Sequence, residues 1–384
     1  MHDVAVIGAG LAGLQCARLL AARGLRVVLI DRKETLAAPI HTTGIFVRKT
    51  WEDFPLPDEQ LGTPIRDVHL YSPSLRSLHL RADHDEFRVG RMEWIYLHLL
   101  EQCSRAGVQW LPSSRLIGCH DTTLTLQRGS RTETLTARYI VGADGARSSV
   151  ARALGLDRNR ELLVGLEDIV ETTPRPAALH CFLDPRLAPG YIGWIVNDGG
   201  AAHIGIAGYG DRFEPSGALA AFRKRVAHLA NGRNIERRGG FIPVNGILRR
   251  IANRRGLLVG DAAGAVSPLT AGGLDGAMRL STFAAEVIAE YLDRGDERIL
   301  SAYSGERFQA RFLARRWMRR ALRACEHPLL MELAFTLLQT PPLRAIASQV
   351  FFSRWSFPDI RWSGGLQAAV RQAEACRSTT QPVR

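Results

Sequence analysis

The chain has 384 residues, 46% of them hydrophobic, and carries a formal net charge of +12 at pH 7. That length can bury a large core in more than one lobe, and no run of about 18 apolar residues is present to span a membrane. The six cysteines (16, 103, 119, 181, 325 and 376) form no CxxC pair and no metal-like spacing, so reduced thiols and no metal are expected. The first strand begins by Asp3 with no leader-like stretch before it, which predicts a cytoplasmic location.

In chain order, Val4-Ala5-Val6-Ile7 predicts a buried strand, and Gly8-Ala9-Gly10-Leu11-Ala12-Gly13 follows it directly. Gly8 permits a tight turn, Gly10 lets backbone approach a pyrophosphate, and Gly13 lets the next helix pack closely on the strand. A helix over 11–23 then points its positive N-terminal end at that anion. A second strand over 26–30 ends in Asp31, 18 residues beyond Gly13, where a carboxylate can accept from a ribose hydroxyl. The turn His41-Thr42-Thr43-Gly44 comes next, and strands are expected over 68–71 and 78–80. Arg88-Val89-Gly90-Arg91 precedes a helix over 92–106.

A second glycine turn, Gly142-Ala143-Asp144-Gly145, follows the strand-like Tyr139-Ile140-Val141. Strands are predicted over 163–167, 178–183, 192–196 and 202–206, and a helix over 218–230. A third turn, Gly260-Asp261-Ala262-Ala263-Gly264, follows Leu257-Leu258-Val259. It runs on through Ser267-Pro268 to Ala271-Gly272-Gly273-Leu274 and a helix over 275–292. A glycine pair opening a helix offers backbone N–H groups to an anionic edge.

Three glycine turns in this order resemble the FAD-dependent superfamily that includes para-hydroxybenzoate hydroxylase and the geranylgeranyl reductases; the resemblance covers roughly residues 1–300. It implies an α/β fold: a Rossmann-like, glutathione reductase-like FAD-binding domain, an inserted mainly antiparallel β-sheet substrate domain, and a helical C-terminal region. The expected division is 1–50, 91–155 and 245–300 for FAD, 51–90 and 156–244 for substrate, and 301–384 for the tail. The implied FAD contacts are Gly8, Gly10, Ala12, Gly13, Asp31, Arg32, Thr42, Gly44, Arg91, Leu116, Asp144, Asp261, Gly272, Gly273 and Leu274. In the family the later aspartate holds the ribityl chain, which points to Asp261.

Gly264 stands where hydroxylases carry a histidine, and Pro189-Gly190-Tyr191-Ile192-Gly193-Trp194-Ile195-Val196 is similar to an aromatic stretch of the reductase branch. Tyr191 and Trp194 are accordingly cavity-wall candidates, with plain sheet packing as the alternative for Trp194. The branch's cysteine after the second strand maps to His41 or Thr42, neither of them a thiol. His41 is therefore the one candidate proton donor, with simple packing beside the flavin as the alternative.

The resemblance implies reduction of a carbon–carbon double bond in an apolar, isoprenoid-like substrate, with NAD(P)H or a ferredoxin supplying electrons. The alternatives are hydroxylation with O2 and a flavin-binding protein without turnover. From 306 to 323 there are seven arginines and one acid, and Arg307, Arg311, Arg315, Arg319 and Arg323 recur every four residues. Apolar stretches follow, so this face is expected to meet an anionic membrane surface, or else to be a solvated cap. The tail is expected to be helical to about 375, broken at Pro341-Pro342 and Pro358, and frayed over 378–384. No nucleic-acid motif accompanies the charge, and no motif specifies an oligomeric state.

Overall fold

The computed structural model describes residues 1–173, 175–210 and 213–353. The calls at Pro358, Cys376 and 378–384 lie outside the described residues.

Two sheets build the molecule. The first holds eight strands, with a parallel core ordered Gly256–Leu258, Arg131–Gly142, His2–Ile7, Val27–Ile30 and Gln109–Leu111. Its central strands are apolar at nearly every position because both faces are covered, as parallel sheets require. The helices Leu11–Ala21, Met92–Arg105 and Leu274–Arg294 share one hydrophobic core with these strands. The glycine turns leave the carboxyl ends of His2–Ile7, Arg131–Gly142 and Gly256–Leu258, so parallel pairing brings all three to one edge. Ligands bind at that edge of open α/β sheets.

The strands Arg115–His120 and Thr123–Arg128 add an antiparallel extension onto the first half of Arg131–Gly142. No strand was expected over 107–138, where alternation of Thr and Leu is interrupted by Gly129-Ser130.

The second sheet has seven strands, ordered Asn234–Pro243, Leu162–Glu171, Ala201–Tyr209, Gly193–Asn197, Ala178–Phe182, Asp67–Tyr71 and Ser77–Arg81. All pairs are antiparallel except Ala178–Phe182 with Asp67–Tyr71. One face packs on the helix Pro215–Arg225, where Phe222 fills the space over Gly193. The predicted helix over 218–230 thus starts and ends earlier. Pro215 sits in its first turn, and the Glu214 carboxylate caps the amides of Ser216 and Gly217.

The tail forms the helices Glu306–Ala324, Pro328–Leu338 and Pro341–Phe352. Pro341 begins a helix as well as ending the previous one, because a first-turn proline loses no hydrogen bond. The last two helices place Phe335 and Ala347 against Val68, Leu70 and Val196 of the second sheet.

Candidate active site

A cavity of about 1400 Å³ lies between the glycine-turn edge, the inner face of the second sheet and the tail helices. Gly8, Gly10, Ala12, Asp31, Arg32, His41, Thr42, Gly44, Leu116 and Asp144 line it, as do Tyr191, Trp194, Asp261, Gly272, Gly273 and Leu274.

The glycines of the first turn divide by role. Gly8 has φ +103°, and a Cβ there would overlap the Ala143 carbonyl; one on Gly13 would overlap the Gly8 carbonyl. These two glycines let the first strand, its helix and the second glycine turn pack together, and Gly13 lies outside the lining. A Cβ on Gly10 would meet nothing within 4 Å, so Gly10 is the one whose surface is open to a ligand. The helix Leu11–Ala21 starts there with no side-chain cap on its first amides.

Asp31 accepts from Ala9 N–H at 2.6 Å and from Lys33 N–H at 2.8 Å, so its carboxylate also holds the glycine turn in place. Asp144 lines the cavity and also has a structural job. Its carboxylate accepts from Ser148 Oγ (2.6 Å), Ser149 N (2.6 Å), Ser149 Oγ (2.8 Å) and Val150 N (3.1 Å), tying down the start of the helix Ser149–Ala153. Only its position in the wall, not a free carboxylate, is left for a ligand.

Asp261, by contrast, has no hydrogen-bond partner for its carboxylate among the described residues. Burial pushes its pKa up to about 6. An acceptor so placed fits a hydroxyl-bearing ligand chain. The turn around it is pinned by Asn159, whose Nδ2 donates to Asp261 O (2.8 Å) and Ala146 O (3.0 Å), joining the second and third glycine turns. Sequence reading missed Asn159, which belongs to no motif.

Arg91 is not brought to the cavity. It is exposed at the start of Met92–Arg105, and Tyr96 from that helix reaches the wall instead. His41 stands at the rim with part of its ring exposed, its Nδ1 2.9 Å from Gly239 O. Partial burial lowers its pKa, against a smaller raising effect of that bond. A neutral ring with Nδ1 engaged by a carbonyl is a poor proton donor at pH 7, which favours the packing alternative.

The wall under Trp194 holds a group that sequence reading missed. Glu167 Oε2 accepts from Trp194 Nε1 (2.9 Å) and from Thr43 Oγ1 (2.5 Å). His203 Nδ1 lies 3.4 Å from Glu167 Oε1, and its Nε2 lies 3.5 Å from Asp198 Oδ2. Burial alone would raise Glu167, but bonds from His203, Thr43 and Trp194 hold it below its usual value. Burial would likewise lower His203, yet the two carboxylates raise it to about 9. An imidazolium between two carboxylates is therefore built into the sheet at neutral pH, next to the 41–44 turn. The only sequence signal was an acid at the end of the predicted strand 163–167. Arg238 holds the same turn by donating to Thr42 O at 3.1 Å.

These features fit FAD: an open glycine turn at a helix start, a partnerless Asp261 carboxylate, and the start of Leu274–Arg294 facing one cavity. Among the described residues no cluster of metal ligands is present.

The chain matches the FAD dependent oxidoreductase family over residues 3–88 and an FAD binding domain family over residues 118–191. It is 26% identical over 326 residues to digeranylgeranylglycerophospholipid reductase 1 of Methanococcoides burtonii, covering 79% of this chain and 78% of that protein. With the Methanothrix thermoacetophila reductase of the same name the identity is 27% over 309 residues, covering 77% and 79%. The fold is similar to a geranylgeranyl bacteriochlorophyll reductase-like protein of Thermoplasma acidophilum, with TM-score 0.74, 20% identity and coverage of 99% and 97%. A probable FAD-dependent monooxygenase of Pseudomonas aeruginosa, PqsL, shares the fold at TM-score 0.64 and 19% identity, over 87% of this chain and 99% of that one. The chain is an FAD-dependent oxidoreductase that resembles the geranylgeranyl reductase-type enzymes.

Proposed function

We propose that this enzyme reduces carbon–carbon double bonds in a long apolar substrate of isoprenoid type. The observation that carries the reading is the shape of the cavity. From the glycine turns it continues past Leu70, Leu179, Cys181 and Ile192 to Met331, Phe335, Leu338 and Ile346 of the tail helices. A small aromatic substrate needs no such apolar arm, whereas an extended hydrocarbon chain is held and aligned by one. The named activity of the archaeal relatives agrees with it.

Reduced FAD supplies hydride chemistry when bound. In this reading Gly10 and the start of Leu11–Ala21 hold its pyrophosphate, Asp31 its ribose, and Asp261 its ribityl hydroxyls. The 41–44 turn and Gly272-Gly273-Leu274 hold the isoalloxazine edge. Trp194 and Tyr191 press the substrate toward it, and the apolar arm excludes water. NAD(P)H or a ferredoxin serves as the electron donor.

The membrane reading changes in one respect. The four-residue arginine ladder is not one outward face, because Arg315 lines the cavity and Arg319 is buried. The outward surface consists of Arg311, Arg320 and Arg323 with Leu313 and Trp317, followed by Leu329, Leu330, Leu333 and Leu337, all exposed. Cations interleaved with exposed apolar side chains suit an anionic lipid surface. The inner sides of the same helices line the arm, so a lipid substrate would enter there.

The test is anaerobic turnover of a polyprenyl substrate by the FAD-loaded protein with a chemical reductant, read by mass spectrometry. A gain of two hydrogens per double bond is expected. A gain of one oxygen under air, with no anaerobic product, would overturn the reading in favour of a monooxygenase.

A further inference from the structure

Saturating a carbon–carbon double bond takes a hydride, which the bound cofactor's chemistry supplies, and a proton. A proton donor works best with a pKa near the working pH. Tyr96, Tyr191 and Cys181 stand on the cavity wall, but burial raises all three far above neutrality, the Cys181 thiol to about 12.

One connected line of groups runs from the cavity to the protein surface. Thr43 stands on the cavity wall and donates from Oγ1 to Glu167 Oε2 at 2.5 Å. Glu167 Oε1 lies 3.4 Å from His203 Nδ1, and the two side chains are only 4% and 6% exposed. His203 Nε2 lies 3.5 Å from Asp198 Oδ2, and the Asp198 side chain is 22% exposed. The amides of Gly200 and Ala201 take Asp198 Oδ1 at 2.9 and 2.7 Å, which leaves Oδ2 for the ring. The charged groups facing His203 are thus Glu167 from Leu162–Glu171 and Asp198 from the turn after Gly193–Asn197. Arg238, opposite Glu167 on Asn234–Pro243, is engaged by Glu236 and Thr42 O. Two carboxylates against one imidazole keep a proton on the ring at neutral pH, with its pKa at about 9. An ion pair with a structural task alone needs neither a hydroxyl on the cavity wall nor an opening to water.

We propose that Thr43 hands the proton to the substrate carbon, and that Glu167 and His203 replace it from solvent at Asp198. This rests on the function proposed above and names the proton path of that site. The Thr43 O–H bond breaks as a C–H bond forms on the carbon beside the one that takes the hydride. Thr43 regains a proton from Glu167, whose carboxyl turns about Cγ–Cδ after taking the Nδ1 proton of His203. Passing the protons in concert avoids a free alkoxide. The ring ends neutral and one proton short, and water at Asp198 restores it. Glu167 and Thr43 end as they began. Thr43 is the catalytic residue, and Glu167 and His203 act through it.

The experiment mixes the FAD-loaded, anaerobically reduced protein with a polyprenyl alcohol and follows flavin absorbance through one turnover, from about pH 6 to 10. Product mass is read alongside. In the parent the rate should fall as pH rises through about 9, where His203 loses its proton. Thr43→Val should slow the turnover at least about tenfold with little change in the alcohol's Kd, and Thr43→Ser should restore most of it. His203→Gln should slow it and erase the fall near pH 9. Retention of the FAD absorbance spectrum across the range shows that each variant has folded. Nitrogen NMR of the histidine rings, on the FAD-loaded parent without substrate, should show His203 charged at pH 7. A Thr43→Val rate equal to the parent's, a pH limb that survives His203→Gln, or a neutral His203 at pH 7 would overturn the relay and leave the reductase. Absence of any two-hydrogen product in the parent would defeat the reductase, and the relay with it.

Discussion

Trp194 and Glu167 are joined through the indole N–H and Oε2 at 2.9 Å, across neighbouring parts of the second sheet. The aromatic wall is therefore fixed by a buried charge, since the same carboxylate oxygen also takes the Thr43 hydroxyl. A cavity wall and the 41–44 turn thus share one anchor. Glu167→Gln keeps the shape and removes the charge that His203 faces. Breaking one side of a buried pair costs on the order of 3–5 kcal/mol, so a clear fall in Tm is expected. The Trp194 emission maximum should also shift. A variant with the melting and emission of the parent would remove the anchor.

The same cluster sets a pH dependence. His203 is raised to about 9 in the folded chain from 6.5. Its contribution is fully present below about pH 6.5 and is lost as pH rises through about 9. Each unit is worth about 1.36 kcal/mol, giving at most about 3 kcal/mol over that window. Asp198, held down to about 2 against burial mainly by His203 and the amides of Ala201 and Gly200, contributes in the opposite sense. Its share is present above about pH 4 and lost toward pH 2. Thermal melts from pH 6 to 9 should fall more steeply for the parent than for His203→Gln; parallel curves would contradict the assignment.

Asp261 titrates the other way from an ion-paired carboxylate. Burial raises it to about 6, so its ionisation destabilises the ligand-free fold as pH rises from about 4 to 6. A ribityl hydroxyl donating to it would favour the ionised form. FAD affinity should then increase up to about pH 6 and level off above. Asp261→Ala should weaken FAD by roughly ten- to a hundredfold, the value of a charge-assisted bond. Flavin fluorescence titrations across pH measure both, and wild-type affinity in that variant would end the ribityl assignment.

The two kinds of glycine in the first turn can be separated. Gly13→Ala forces a Cβ into the Gly8 carbonyl, so loss of folding is expected even without cofactor. Gly10→Ala meets open space in the ligand-free chain and should melt near the parent temperature while binding FAD more weakly. Apo-protein melting paired with FAD titration is the check. The outcome that sinks it is a cooperative, FAD-binding Gly13→Ala protein.

For the tail, Trp317 is 60% exposed and carries Arg320 over its ring at 4.7 Å. On anionic vesicles its fluorescence should shift to the blue, and high salt should reverse the shift. Each surface arginine contributes on the order of 1 kcal/mol. Replacing Arg311, Arg320 and Arg323 together by Gln should therefore weaken vesicle binding by roughly two orders of magnitude. Equal recovery on neutral and anionic vesicles would leave the helix a solvated cap.

The sequence by itself determined what depends on short-range geometry. A strand, a glycine turn and a helix start are neighbours along the chain, so residues 4–13, 139–145 and 257–264 carried the turns that meet at one edge. The alternating strands of the second sheet and the long helix before Gly295 were legible for the same reason. Tertiary packing decided the rest. Glu167 and His203 stand 36 residues apart in sequence and meet only because antiparallel pairing of Leu162–Glu171 with Ala201–Tyr209 brings them together. The four donors around the Asp144 carboxylate, from Ser148, Ser149 and Val150, were likewise set by how the next helix packs. Helical spacing put Arg315 and Arg319 on one face; which side of that helix meets the cavity depends on where Phe308 and Phe312 find a core, and no local pattern encodes that.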